Sequence, residues 1–306
     1  RSVSVMLGAF NFYVPIFEEA LESYQVPLEL KYLPVIESAL NPGATSRVGA
    51  AGLWQFMVTT GKQYGLEVTS LVDERRDPVK ASYAAARYLR DLYDIFGDWT
   101  LVIASYNCGP NNVSKAIKRA GGARDYWAIY SYLPRETQGY VPAFIAANYI
   151  MNYYCDHNIC PVKTTLPQAT DTLVVTRDVR MERIEQMCGI AHDELRGLNP
   201  QYRTSLIPGE ARPCILRMPV DKVNAFIEAG DSIYVQPGER VQVVEVAVAE
   251  PRPKAARHPR TRTVRVRKGD TLGAIARRNN TTVAKIKRLN RMRGTRINPG
   301  QRIRVR

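Results

Sequence analysis

The sequence predicts a multidomain chain in which an all-α domain is followed by two small α+β modules of the strand–helix–helix–strand (βααβ) type. Residues 1–155 place apolar side chains at three- and four-residue steps, which is typical of amphipathic helices, and they nearly lack the alternation of strands. After Pro161 one pattern occurs twice, at a fixed offset of 91 residues. A chain of 306 residues is long enough for two or three such domains.

The helical part is predicted to span 1–160. Its apolar periodicity is clearest in PIFEEALESY, PVKASYAAARYLRDLYDIFG and YVPAFIAANYIMNYY. Proline and glycine are predicted to separate its helices, at Pro27, Pro42–Gly43, Gly97, Gly109–Pro110, Gly121–Gly122, Pro134 and Pro142.

The repeat predicts one module over 168–235 and a second over 261–306. The matching positions are Ile184, Leu195, Leu198–Asn199 and Pro208–Gly209 in the first copy and Ile275, Ile286, Leu289–Asn290 and Pro299–Gly300 in the second. Each copy is predicted to close on a strand, Ile215–Met218 in the first and Arg302–Arg306 in the second.

A flexible basic linker is predicted over 236–260. VQVVEVAVAE could form a strand, but EPRPKAARHPR has no means of building a core.

The net charge of +14 is unevenly placed along the chain. Residues 1–250 carry 24 Lys and Arg against 28 Asp and Glu, whereas residues 261–306 carry 15 Lys and Arg against Asp270 alone. The second module is therefore expected to meet an anionic partner, such as an anionic wall or membrane surface. No nucleic acid is expected as a partner, because exposed aromatic residues are not interleaved with the basic ones.

No stretch reaches about 18 uninterrupted apolar residues, so no transmembrane helix is predicted. The first residues lack a signal-peptide pattern, and any export signal or lipid anchor is expected to lie outside this sequence. Cys155, His157 and Cys160 fit no common zinc spacing, so we expect neither a metal nor a cofactor. A disulfide is the more plausible use of cysteine, with Cys188–Cys214 as the preferred pair and Cys108 as a buried thiol.

Glu37 is a lone carboxylate among apolar neighbours, and the next acidic residue is Glu67. Glycosidases ordinarily use two carboxyl groups, one as acid and one as nucleophile or base. A single carboxylic acid can still cleave a glycoside if the sugar supplies the nucleophile, because its own 6-hydroxyl can close onto C1 as a 1,6-anhydro ring. Desolvation would raise the pKa of Glu37 as such an acid requires. Only more distant carboxylates, such as Glu67, Asp73 and Asp98, could position a water, which favours the non-hydrolytic reaction.

Four stretches resemble the lytic transglycosylase domain of the goose-type-lysozyme-like superfamily. They are IESALNP (36–42), ATSRVGAAGLWQF (44–56), ASYNCGP (104–110) and ETQGYVPAFIAANYI (136–150). They match, in order, a Glu-Ser on a helix, a Gly-Leu-X-Gln after a Gly-Ala-rich turn, an aromatic-Asn motif and a late Tyr-Val. The resemblance implies a lysozyme-like all-α catalytic domain acting on peptidoglycan glycan strands, the GlcNAc–MurNAc polymer.

The same resemblance implies roles for individual residues. Glu37 matches the catalytic acid and base, and Ser38 supports its helix. The positions that match substrate-binding residues are Ser46, Gln55, Tyr106, Asn107 and Tyr140. Gly43, Gly49 and Gly52 are expected to let the backbone come close to the sugar. Trp54 and Cys108 depart from the family pattern and could alter the shape of the site.

The second repeat, with VRKGDTLGAIARR, resembles LysM carbohydrate-binding domains. This resemblance implies cell-wall binding, with Thr271, Leu272 and the turn 298–300 as candidate contacts. The first copy has lost the Gly-Asp-Thr of the opening, so we expect a divergent LysM-like module with a structural role.

The sequence therefore predicts a peptidoglycan lytic transglycosylase that leaves 1,6-anhydro-MurNAc ends, in the periplasmic cell envelope and with a possible anchor to the outer membrane. Two alternatives stay open. One is a hydrolytic muramidase on the same fold, and the other is a non-catalytic peptidoglycan-binding protein.

Overall fold

The computed structural model describes residues 2–167, 169–236, 239, 263–292 and 294–305. The chain divides into two compact units, Arg1–Pro251 and Arg252–Arg306. The predicted linker lies outside the described residues except for Gln236 and Glu239, and so does the possible strand in VQVVEVAVAE. Among the described residues, no helix is both long and apolar enough to cross a membrane.

The first part of the larger unit is helical, as predicted. Its helices are α1 (Ser2–Ser23), α2 (Leu33–Ser38), α3 (Val58–Gln63), α4 (Pro78–Phe96), α5 (Trp99–Cys108), α6 (Pro110–Arg119), α7 (Tyr126–Ile129) and α8 (Arg135–Asn152), with 3-10 turns at Leu28–Tyr32 and Tyr130–Tyr132. Capping residues fix where the long helices begin. Asp77 accepts backbone N–H groups at the start of α4, and Asp98 does so at the start of α5.

The core of this part lies between α1, α4, α5 and α8. Phe17, Leu21, Leu89 and Leu101 are fully buried there. The fully buried Trp54 packs on Phe17 with ring centroids 5.3 Å apart. Burying these large side chains stabilises the helices, because each contributes roughly 1.5–3 kcal/mol.

Pro142 does not end a helix, contrary to the prediction, but lies inside α8. Proline removes the N–H that would bond the carbonyl four residues earlier, which here belongs to Gln138. The hydroxyl of the buried Tyr126 donates to that carbonyl instead, at 2.8 Å. The helix continues because a tertiary contact replaces the missing donor, and local sequence does not contain that information.

The first α+β module contains the predicted elements and more. Its elements are β1 (Thr170–Val175), β2 (Asp178–Arg180), α9 (Met181–Cys188), α10 (His192–Leu198), β3 (Leu206–Pro208), β4 (Cys214–Pro219) and α11 (Val223–Ala229). The β1 strand pairs antiparallel with β4, and β2 pairs antiparallel with β3. The short β2–β3 pair and α11 were not predicted.

The preferred disulfide is not formed. Cys188 and Cys214 are both buried in the core of this module, but both are free thiols. Cys188 ends α9, whereas the Cys214 thiol lies 3.6 Å from the carbonyl of Pro208. Burial raises the pKa of both thiols, which makes them less reactive.

The second module repeats this arrangement with β5 (Thr263–Arg265), α12 (Leu272–Arg278), α13 (Val283–Leu289) and β6 (Arg302–Arg304), and β5 pairs antiparallel with β6. The repeated Leu-Asn has a structural explanation. The Asn199 side chain bonds both the N–H and the carbonyl of Arg217, at 2.9 and 2.7 Å. The Asn290 side chain does the same for Arg304, at 2.8 and 2.7 Å. In both copies the asparagine ties the end of a helix to the closing strand.

Candidate active site

Glu37 lies near the end of α2, a helix of six residues. The helix stops there because Ala39 and Leu40 adopt left-handed backbone conformations, with φ of 51° and 60°. The Ser38 hydroxyl lies 3.0 Å from the carbonyl of Pro34 and 2.9 Å from that of Leu53, which ties the helix to residues 43–56. We call residues 43–56 the Gly-rich turn. The predicted supporting role of Ser38 matches this geometry.

The Glu37 carboxyl is half-buried and accepts a hydrogen bond from the Tyr140 hydroxyl. Desolvation is the main influence and raises the pKa of Glu37 to about 7, while the Tyr140 bond lowers it and the nearby charge of Glu136 raises it. At neutral pH a large share of the molecules therefore carries a proton on Glu37. Such a group can donate that proton and later accept one.

Tyr106 and Asn107 lie in the last turn of α5, and Tyr106 is close enough to Glu37 for the two groups to interact electrostatically. The Tyr106 hydroxyl donates to the carbonyl of Trp54 at 2.7 Å, which links α5 to the Gly-rich turn. Burial, followed by the nearby Glu37, raises the pKa of the Tyr106 hydroxyl, so it stays a neutral donor. The Asn107 side-chain oxygen accepts from Thr137 at 2.8 Å. The Asn107 amide nitrogen has no partner among the described residues and can donate to a ligand.

Ser46 and Gln55 both lie on the Gly-rich turn and stabilise it. The Ser46 hydroxyl accepts from the backbone N–H of Ala50 at 3.0 Å. Gln55 has a φ of 50°, and its amide nitrogen donates to the carbonyl of Gly52 at 2.8 Å. Its side-chain oxygen has no partner in the described part of the chain and is available as an acceptor.

The structure brings Glu37, Tyr140 and Tyr106 together and holds Ser46 and Gln55 on a turn that is tied to the Glu37 helix. The side chain of Trp54 points into the core, where its indole N–H donates to the hydroxyl of Ser82 at 2.9 Å. The Trp54 ring is fully buried, so it does not line the site or contact a ligand there.

Sequence reasoning missed two residues near the site, Glu136 and Thr137. Glu136 is exposed and acts on Glu37 through its charge, and the buried Thr137 orients Asn107. Both stand about one helical turn before Tyr140, so the i, i+3 and i, i+4 spacing in ETQGY could have indicated them. In the part of the chain that the structure describes, no three His, Cys, Asp or Glu side chains could together hold a metal ion.

Comparison with known families assigns three regions of the chain. Residues 15–129 match the "Transglycosylase SLT domain", residues 169–235 the "Lytic transglycosylase MltD, LysM-like domain" and residues 264–306 the "LysM domain". The predicted resemblances to lytic transglycosylases and to LysM domains are thereby confirmed, as is the fold class.

Curated relatives agree with this assignment. The membrane-bound lytic murein transglycosylase D of Escherichia coli K12 is 33% identical over 284 residues, which cover 92% of this chain and 60% of the relative. The soluble lytic murein transglycosylase of the same strain is 32% identical over 44% of this chain and 21% of the relative. The transglycosylase of Enterobacteria phage PRD1 is 37% identical over 37% of this chain and 40% of the relative. The chain thus spans about 60% of the length of its E. coli relative.

Among solved structures, the 70 kDa soluble lytic transglycosylase of Escherichia coli matches 46% of this chain and 24% of its own, with 29% identity and a TM-score of 0.40.

Proposed function

Since this chain carries a transglycosylase SLT domain and is related over most of its length to a lytic murein transglycosylase, we propose that it is a peptidoglycan lytic transglycosylase. It cleaves the β-1,4 bond between MurNAc and GlcNAc without water and leaves 1,6-anhydro-MurNAc ends. The observation that carries the proposal is the half-buried Glu37, whose pKa lies near 7. The mass of the released fragments tests it, because ring closure gives a product lighter by one water than hydrolysis.

Glu37 acts twice in the proposed reaction. Its carboxylic acid gives a proton to the bridging oxygen, and the bond from that oxygen to C1 of MurNAc breaks. The resulting carboxylate takes the proton of the MurNAc 6-hydroxyl, and O6 bonds to C1. Tyr140 donates to Glu37 and stabilises the carboxylate between the two proton transfers, since a hydrogen bond to the charged form favours it.

The remaining site residues are proposed to bind the glycan. Asn107 has a free amide donor and Gln55 a free acceptor, which suit the hydroxyl and N-acetyl groups of the sugars. Ser46, Tyr106 and Tyr140 complete the set that the sequence predicts.

The three distant carboxylates that the sequence offers for positioning a water, Glu67, Asp73 and Asp98, are engaged elsewhere. Asp73 is bound by Arg75 through both oxygens, at 2.8 Å each, and Asp98 caps α5. Glu67 pairs with Arg212 at 2.8 Å. Because these three carboxylates already bind arginines or cap a helix, none of them is available to activate a water, which supports the non-hydrolytic reaction. The second candidate function is a hydrolytic muramidase, and Glu136 is the carboxylate that favours it. Glu136 lies close enough to Glu37 for its charge to raise the pKa of Glu37.

Activity is expected to fall as pH rises through about 7. The protonated form of Glu37 starts the reaction, and its folded pKa is raised from 4.5 to about 7. The acid form is therefore dominant below that pH, and kcat/KM should decrease roughly tenfold per pH unit above it. A pH–rate profile on soluble glycan strands measures this decrease, which we call the alkaline limb of the profile.

The matched control for the pH profile is Glu136→Gln. Removing the like charge lowers the pKa of Glu37, so the limb should move to lower pH while the activity at acidic pH persists. A limb that stays in place would contradict the assignment of the limb to Glu37. Loss of activity at every pH would favour hydrolysis with Glu136 as the base.

The second module is proposed to hold the enzyme on the wall. Thr271 and the turn 298–300 are exposed and remain candidate glycan contacts, whereas the side chain of Leu272 is 2% exposed and is excluded. Among the described residues of this module, only Arg278 forms an ion pair, with Asp270. The remaining positive charge supports the proposed attraction to anionic wall or membrane surfaces.

Deleting residues 252–306 is expected to weaken binding to purified sacculi and to remove its salt dependence. The full chain should lose affinity as salt rises towards about 1 M, where charges are screened within about 3 Å. Sedimentation of the protein with sacculi measures this. A truncated chain that binds as tightly, and with the same salt dependence, would contradict a wall-binding role for the module.

The proposed location is the cell envelope. The E. coli relative is described as membrane-bound, and peptidoglycan is an envelope polymer. The third candidate, a non-catalytic binding protein, predicts sedimentation with sacculi but no released fragments.

A further inference from the structure

The segment 66–77, which joins α3 to α4, contacts the first α+β module along one side. We call it the bridging loop. The N–H of Asp73 donates to the carbonyl of Gln201 at 2.8 Å, and the N–H of Arg203 donates to the carbonyl of Leu71 at 2.8 Å. Val72 forms an antiparallel bridge with Tyr202 and is 2% exposed within the core of the module. Residues 71–73 of the bridging loop are therefore held against residues 201–203 of the module by two backbone hydrogen bonds around one isolated β-bridge.

Two arginines of the module strengthen this contact. Arg203 donates to the carbonyl of Thr69 at 2.9 Å. Arg212 bonds Glu67 and Glu74, each at 2.8 Å. Glu74 is 4% exposed, and its other oxygen accepts the N–H of Glu67 at 2.8 Å. Bonds from charged donors to a buried carboxylate are among the stronger interactions in proteins, so the module fixes the conformation of the bridging loop.

On its other side the same loop holds the Gly-rich turn. Arg75 is 5% exposed and binds Asp73 in a bidentate manner. Its remaining terminal nitrogen donates to the carbonyls of Gly49 and Phe56 at 2.8 and 2.9 Å. One guanidinium thus joins the middle of the Gly-rich turn, at Gly49, and its end, at Phe56, to a loop that is held by the module.

We propose that the first α+β module is a positioning part of the catalytic domain, acting through the bridging loop and Arg75 on the Gly-rich turn. The predicted effect of the module on activity rests on the proposed function. The predicted effect on the conformation of the Gly-rich turn does not. The turn reaches the Glu37 helix through the bond from Ser38 to Leu53 and reaches Tyr106 through the carbonyl of Trp54. A displacement of about 1 Å in such a site can reduce the rate by roughly 10²-fold.

The test is the double variant Arg203→Ala/Arg212→Ala in the full chain. It removes the side-chain bonds between module and bridging loop but leaves Arg75, Asp73 and all site residues in place. Glu74 keeps its ion pair with Lys80, so no buried charge is left alone. The control is Arg177→Ala, which removes one positive charge from the same module, as each of the two arginine replacements does, but breaks only a pair with Asp231 and a contact with Tyr234.

Hydrogen exchange measures the effect without any substrate. In the double variant we expect amides within 43–56 to exchange at least about tenfold faster, with α8 unchanged and Arg177→Ala equal to wild type. On soluble glycan, kcat should fall roughly tenfold with KM within about twofold of wild type. The variant Arg203→Ala/Arg212→Lys should recover part of the loss, because the positive charge at position 212 returns.

Unchanged exchange at 43–56 in the double variant would overturn the inference, as would an equal effect of Arg177→Ala. Loss of protection in α8 as well would mean that the double variant has unfolded more widely. The single variant Arg212→Ala, which replaces a side chain that is 34% exposed, then provides the test: faster exchange at 43–56 with α8 unchanged supports the inference, and unchanged exchange at 43–56 overturns it. If the wild type and the variants differ in hydrogen exchange as expected but the wild type releases no fragments, the proposed function is contradicted. The positioning of the Gly-rich turn by the first α+β module is then still supported.

Discussion

The Glu37→Gln variant is expected to lose at least about 10³-fold in the release of anhydro fragments, which approaches complete loss. Acid–base catalysis by a positioned side chain is worth roughly 10²–10⁴-fold, and here a single group supplies both proton transfers. Glutamine has the same shape, and its oxygen can still accept from the Tyr140 hydroxyl. The variant should therefore fold and bind sacculi as wild type does. Fragment release from sacculi, followed by chromatography, measures the loss.

The control for this variant is again Glu136→Gln, which removes a carboxylate about one helical turn from Tyr140. In the proposed reaction it retains most of its activity near its own pH optimum, because Glu136 transfers no proton. Substantial residual activity in Glu37→Gln would remove Glu37 from the mechanism. Inactivity of both variants would indicate a two-carboxylate hydrolase.

Replacing Gly52 with alanine is expected to destabilise the protein by more than about 4 kcal/mol and to abolish activity. Gly52 has a φ of 86°, and an added Cβ would lie 1.7 Å from the carbonyl oxygen of Arg75. Relieving this overlap requires the backbone at Gly52 or at Arg75 to shift, which we expect to disturb the bonds from the Arg75 side chain to Gly49 and Phe56. The free energy of unfolding, measured by denaturant titration, reports the cost.

Gly65 provides a matched control, since its φ is also 86° but nothing lies within 4 Å of an added Cβ. Gly65→Ala should cost only the backbone strain of about 1–2 kcal/mol and should keep its activity. Similar losses in both variants would show that strain, rather than contact with Arg75, makes glycine necessary at 52. Close packing against the bridging loop is a reason for glycine at position 52 that the sequence did not indicate.

The repeat was the part of the fold that the sequence predicted best. Leu-Asn recurs because Asn199 and Asn290 each bind a closing strand, and such a local constraint leaves the same residue at the same place in both copies. The prediction that Pro142 separates two helices was wrong because the hydroxyl of Tyr126, on another helix, replaces the hydrogen-bond donor that proline lacks. The β2–β3 pair was missed because three residues per strand carry no readable alternation.

For the site, the apolar neighbours of Glu37 correctly indicated a raised pKa, because desolvation follows from local composition. The motif resemblance supplied Tyr106 and Tyr140, which the fold brings to Glu37 from two other helices. The role of Arg75 could not be predicted. Its partners Gly49 and Phe56 lie about 20 residues or more away in sequence, and only the folded loop brings their carbonyls to one guanidinium.

The most direct measurement is the mass of the fragments that the wild-type protein releases from sacculi, compared with a hydrolytic muramidase digest of the same material. We expect every MurNAc end made by this protein to be lighter by one water, since the sugar's own 6-hydroxyl replaces the water. MurNAc ends of the same mass as in the hydrolytic digest would contradict the account, because they would require a water that Glu37 alone does not activate.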